Sequence, residues 1–207
     1  MEDFILNTMR KILFLLLLSL TLVTTATAQE AAFTSAVAKY RTAKTATAKA
    51  VMVKHNKAMT KNTSSTGALY MKDPDKVAIV CNGGKEQLVM NGNTFTMVMG
   101  GHKRVASAKT ASQFAAFKAV LLSVLNGGKT DISKVEGVKV TSGSGNVTVT
   151  MTPSAQKHLM FTSFVLTIDR KSGALETLTL VSKRGYTKYS FSDFHFGGAV
   201  SDKVFLP

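Results

Sequence analysis

One cysteine, no tryptophan, three prolines and only twelve carboxylates in 207 residues set the first limits on this chain. A single Cys closes no internal disulfide. Cys81 ends the apolar run Val77-Ala78-Ile79-Val80-Cys81 and reads as a small buried hydrophobe, because a reactive thiol needs a nearby His and an electropositive setting. The few acidic residues offer little for acid–base work. Asp73 and Asp75 flank Pro74 in a turn, and Asp169 and Asp193 stand at strand ends, where turn chemistry accounts for them. His55, His102, His158 and His195 are widely dispersed, and none stands at ligand spacing with Cys, Asp or Glu. There is no nucleophile-elbow G-x-S-x-G; Gly143-Ser144-Gly145 lacks the spacing and serves a hairpin. The Gly-Gly pairs at 83–84, 100–101, 127–128 and 197–198 punctuate loops rather than cradle a phosphate. No catalytic residue, metal ligand or cofactor is expected, and so no enzyme.

Scarce Pro and an ordinary Gly count of 15 exclude disordered and fibrous classes. A hydrophobic fraction of 45% is ample for one domain's core. Only one apolar run is long, Ile12 to Val23, and it is too short to span a bilayer comfortably. Arg10-Lys11 before it and Ala26-Thr27-Ala28 after it complete a signal-peptide pattern, with cleavage expected after Ala28. Met9 is a more natural start than Met1, since Glu2 and Asp3 are unusual in such a leader. No Cys follows the apolar core, so the product is expected to be soluble in the periplasm rather than lipid-anchored. Residues 1–28 are then the leader, and 29–207 a single domain.

Carboxylates are outnumbered by 26 Lys and Arg, for a net charge of +14. Such a balance suits an anionic partner, for example phospholipid headgroups, lipopolysaccharide or nucleic acid. Lysines solvating a sheet face and blunting its edges give the plainer account. The basic residues form no Arg-rich stripe or reading motif, so nucleic acid is not expected.

What the chain does have is strands. Gly67 to Met99 reads as four of them, turned by Asp73-Pro74-Asp75, Asn82-Gly83-Gly84 and Asn91-Gly92; Asn-Gly between apolar runs is a strong hairpin signal, because both residues tolerate positive φ. Along the fourth, Phe95, Met97 and Met99 alternate with Thr94, Thr96 and Val98. Before this meander, Glu30 to Lys44 predicts a helix, Thr45 to Lys61 an edge-type strand with Lys toward solvent, and Asn62 to Thr66 a polar loop. After it, His102 to Lys109 is basic and irregular. A helix follows from Ser112, its expected N-cap, to Leu125. Phe114, Phe117 and Leu121 share one face, more apolar than a surface helix needs. Val138–Thr141, Asn146–Met151, Met160–Ile168, Ala174–Ser182 and Tyr186–Phe194 are further strands, and Val204 to Pro207 closes the chain. The fold class is mainly β with α: an incomplete antiparallel barrel, or strongly curved sheet, with helices over its concave apolar face. Ten Met and twelve Phe either fill an ordinary core or line a cavity for varied apolar ligands.

In this order the chain resembles the LolA family, the periplasmic carriers of outer-membrane lipoproteins, whose fold LolB-type proteins share. The resemblance runs from about Phe33 to Pro207. It is carried by Gly67-Ala68-Leu69-Tyr70-Met71-Lys72-Asp73-Pro74, by the hairpin Val89-Met90-Asn91-Gly92-Asn93-Thr94-Phe95, and by Tyr189-Ser190-Phe191-Ser192-Asp193-Phe194 with the ending Val204-Phe205-Leu206-Pro207. Asn91 stands for the family's usual Asp. Asp73 stands before the Pro where many members have an Arg important for cargo handling. The resemblance implies a hydrophobic cavity for lipoprotein acyl chains, lined by Leu69, Met71, Met90, Phe95, Met97, Met99, Phe114, Phe117 and Leu121. It further implies an inner-membrane transporter as donor and an outer-membrane receptor, or the membrane, as acceptor. A monomer is expected. The alternative is a LolA-like binder of another amphiphile, a phospholipid or glycolipid.

Overall fold

Eleven strands join in one antiparallel sheet in a computed structural model that describes residues 28–106, 112–153 and 160–207. They are β1 Thr45–Asn56, β2 Thr63–Lys72, β3 Lys76–Cys81, β4 Glu86–Asn91, β5 Thr94–Met99, β6 His102–Val105, β7 Val138–Ser142, β8 Asn146–Met151, β9 Ser163–Asp169, β10 Leu175–Ser182 and β11 Gly185–Phe196. Their order is β6-β5-β4-β3-β2-β1-β11-β10-β9-β8-β7, two meanders joined through β1 and β11. The sheet does not close on itself, so the barrel is incomplete. Its helices are α1 (residues 28–37), α2 Tyr40–Ala43 and α3 Ala115–Leu125. The expected leader and His158 lie outside the described residues, apart from Ala28.

Five expectations need correction. Strand β1 is central rather than an edge: Thr45–Lys54 pairs with β2 and Ala46–Asn56 with β11. Its lysines project from the faces of the sheet, where they resemble edge protection in the sequence. Lys49 meets Asp193 at 2.7 Å. Thr63 to Thr66, expected as loop, already pair with Val51–Lys54. Residues 102–105, expected to be irregular, form β6 because Gly100 and Gly101 (φ 59° and 83°) turn the chain back on β5; the two glycines make a hairpin, not merely a strand end. The first helix breaks at residues 38–39. In addition, a 3₁₀ turn Ser112–Phe114 precedes α3, whose N-cap is Phe114 rather than Ser112.

Curvature can be read from one ion pair. Lys54 on β1 bonds Glu86 on β4, although a flat sheet would hold strands three places apart at about 14 Å. The sheet therefore bends toward the side carrying these two side chains. On the same side, alternate residues of the strands and the inner faces of α1–α3 form one apolar cluster that includes Cys81. The helices thus cover the concave face. Arg41 donates to the Gly127 carbonyl at 2.7 Å, which ties the end of α3 to α2. A side chain at Gly127 would lie 2.7 Å from Arg41 Cβ, so this close approach needs glycine.

The convex face has a small cluster of its own. Phe205 packs on Ala78 and Val89, flanked by Tyr70, Val80, Val200 and Val204. The C-terminal segment is therefore a 3₁₀ clip, Asp202–Phe205, laid across β3 and β4. Asp202 accepts from Lys72 at 3.1 Å and Lys76 at 2.7 Å, and first Lys76, then Lys72, holds its carboxyl below the usual range.

Candidate functional site

An aromatic stack seats α3 on the sheet. Phe117 lies on Phe164 of β9, ring centres 4.7 Å apart and nearly parallel, and meets Phe95 of β5 edge-on at 5.8 Å. Phe114 stacks on Phe95 at 4.3 Å and approaches Phe161 at 6.3 Å. One helix face thereby touches both arms of the curved sheet, β5 from one meander and β9 from the other.

Beside this stack a pocket of about 350 Å³ opens between β5, β6 and the start of α3. Phe95, Met97, Phe114 and Met160 form its apolar walls, and Arg104 and Gln113 bring polar atoms to its edge. Gln113 is buried and accepts from the Met160 N–H at 3.1 Å, which ties the approach to β9 to the start of the helix. Met160 also lines a second, wider pocket of about 690 Å³, so the two hollows share a wall. Met99, Met160, Phe161 and Leu180 give the second pocket an apolar floor, and Lys54, His55, Lys183 and Arg184 stand on its rim.

All nine residues expected to line a cavity fall in the one concave cluster. Phe95, Met97 and Phe114 border the first pocket and Met99 the second. Leu69, Met71, Met90, Phe117 and Leu121 sit deeper, packed within the core. Met160 and Phe161 were missed. The run Met160 to Ile168 reads as one strand in the sequence, but β9 begins only at Ser163, and nothing in the run says that Met160 and Phe161, just before it, border the pockets.

Burial first, then the Glu86 carboxylate, pushes the Cys81 thiol up to about 11. At pH 8 the thiolate is then on the order of one part in a thousand. The native protein is expected to resist iodoacetamide at Cys81 and to label fully once unfolded; fast stoichiometric labelling of the native chain would contradict this burial. Among the described residues no three His, Cys, Asp or Glu side chains are grouped to hold a metal ion. No helix among them is long and apolar enough to cross a membrane.

Asp73, at the position where the resembling family often has Arg, has a local partner. Its carboxylate meets Lys44 at 3.0 Å, and its N–H donates to the Lys44 carbonyl at 2.7 Å, joining the β2–β3 turn to the start of β1.

The sequence profile described as outer membrane lipoprotein carrier protein LolA matches residues 41–207. The chain belongs to the LolA family. No curated protein sequence matches it. Among solved structures it is similar to a DUF1329 family protein from Desulfovibrio piger, at 14% identity over 87% of this chain and 97% of that one, with a TM-score of 0.44. It is also similar to a putative outer membrane lipoprotein-sorting protein domain from Vibrio parahaemolyticus, at 12% identity over 87% and 97%, TM-score 0.45. A third is a LolA superfamily protein from Nitrosomonas europaea, at 8% identity over 88% and 98%, TM-score 0.37. Within this LolA-family chain the match spans every strand, from β1 to the C-terminal clip.

Proposed function

We propose that this chain shields the acyl chains of lipoproteins between α3 and the concave sheet and carries them from the inner to the outer membrane. The observation that carries the reading is the apolar pocket walled by Phe95, Met97, Phe114 and Met160 in a chain of the LolA family. Each methylene that leaves water for such a site contributes about 0.8 kcal/mol. Phe95, Met97, Met99 and Phe114 are the first contacts on this reading. Leu69, Met71, Met90, Phe117 and Leu121 join the lining as α3 lifts. Release needs that lift or a more apolar acceptor, since tight binding alone would trap the cargo.

The donor would be an inner-membrane lipoprotein transporter, and the acceptor an outer-membrane receptor or the membrane itself. With residues 1–28 removed, 29–207 would act in the periplasm as one monomeric lipid-binding domain without catalysis or nucleic acid. A second reading, a phospholipid or glycolipid binder, is favoured by the basic rim of the wider pocket.

Site-specific photocrosslinking tests the carrier reading. A benzophenone side chain at Met97 is expected to trap an added triacylated lipoprotein. The same group at Val51, exposed on β1, should not. Equal trapping at both positions, or none at Met97, would overturn the reading.

A further inference from the structure

We propose that the rim of the wider pocket is an anion site, built by Lys183 and Arg184, that selects lipids with a negatively charged headgroup. The inference rests on the acyl-binding reading above and adds a headgroup preference to it. Among the described residues four basic side chains line this pocket and no Asp or Glu does. One of the four is already committed, since Lys54 bonds Glu86. Among the described residues neither Lys183 nor Arg184 lies within ion-pair distance of a carboxylate. They occupy the tight turn between β10 and β11, and the turn itself is held. Ser182 Oγ donates to the Gly185 carbonyl at 3.1 Å, and the Arg184 carbonyl accepts from the Lys57 N–H at 2.9 Å. The His55 ring is fixed as well, stacked on Tyr186 at 5.1 Å, with Nδ1 2.9 Å from Asn62 Oδ1.

The chemistry of the pocket is two-part. Met99 and Met160 line the same pocket, and Met160 also lines the pocket at the start of α3. A ligand that fills both parts has an acyl chain at one end and an anion at the other. Nothing on the rim rewards a zwitterionic or neutral headgroup to the same degree, because no carboxylate stands there to meet a cation. Exposed charge contacts are individually weak, so several acting together are expected to give roughly a 10-fold preference rather than an absolute one.

The test keeps the acyl chains constant. The purified protein is incubated with an equimolar mixture of dioleoylphosphatidylglycerol and dioleoylphosphatidylcholine, and the lipid retained after gel filtration is extracted and quantified. The expected result is about 10-fold enrichment of the anionic lipid, lost in the Lys183→Glu, Arg184→Glu double variant. Both positions are exposed, so the variant should fold, and its melting temperature checks this. Equal retention of the two lipids by the unaltered protein overturns the anion site and leaves acyl binding standing. Enrichment that survives the double substitution overturns the assignment to these residues. Retention of neither lipid overturns the anion site; the lipoprotein photocrosslink at Met97 then decides the acyl-binding reading separately.

Discussion

Phe117→Ala is expected to destabilise the protein by about 3–5 kcal/mol, the cost of emptying a fully enclosed phenylalanine site. Phe117 is 0% exposed, and its ring is held on Phe164 and against Phe95. Removing it leaves a void where α3 meets both arms of the sheet. For a domain of this size the loss corresponds to a fall in melting temperature of roughly 10 °C. Leu206→Ala is the control: Leu206 is 69% exposed, and its truncation should change stability by less than about 0.5 kcal/mol. A shift below about 2 °C for Phe117→Ala would mean that the aromatic stack does not hold the helix down. With the ring fully enclosed, a charge at Phe117 would first unfold the helix seat, so Phe117 reports on the fold.

Met97→Glu should separate binding from folding. Met97 borders the pocket, and its cross-strand partner on β6 is Arg104, which faces the same hollow. Opposed residues in a non-bulged antiparallel pair lie on one face, and an opposite-charge pair there contributes roughly 0.2–1 kcal/mol. The new carboxylate therefore has a partner, which offsets part of the cost of a charge at a position only 7% exposed, and the melting temperature is expected to fall less than in Phe117→Ala. Acyl binding should fall on the order of 10- to 100-fold, as two or three methylenes lose an apolar wall worth about 0.8 kcal/mol each. Equilibrium titration with a fluorescent fatty-acyl probe measures it. Unchanged affinity would remove Met97 from the site; a collapse in melting temperature would make it a core residue like Phe117.

The turn chemistry was largely legible. Asp73-Pro74-Asp75 and Asn91-Gly92 stand where strands reverse, and Val147, Val149 and Met151 point inward as their alternation requires. Alternation tells which residues share a face but not which strand lies alongside. That is why β1 could pass for an edge: its partner β11 follows it by well over a hundred residues, and no local signal records the pairing. Gly100-Gly101 is ambiguous in the same way, because a strand end and a hairpin use the same residues. Phe205 looks like any buried aromatic, and only the folded sheet shows that it clips the convex side. For the site, the nine apolar residues do share one cluster. Their division into pocket wall and packed core depends on where α3 rests against β5 and β9, a contact between segments distant in sequence.

The most direct test of the acyl-carrier account is native mass spectrometry of the purified protein mixed in turn with a triacylated lipoprotein and with phospholipid. The account predicts a one-to-one complex with the lipoprotein that is lost in Met97→Glu. No complex with either partner would contradict it and return the Met and Phe residues of the concave face to an ordinary core.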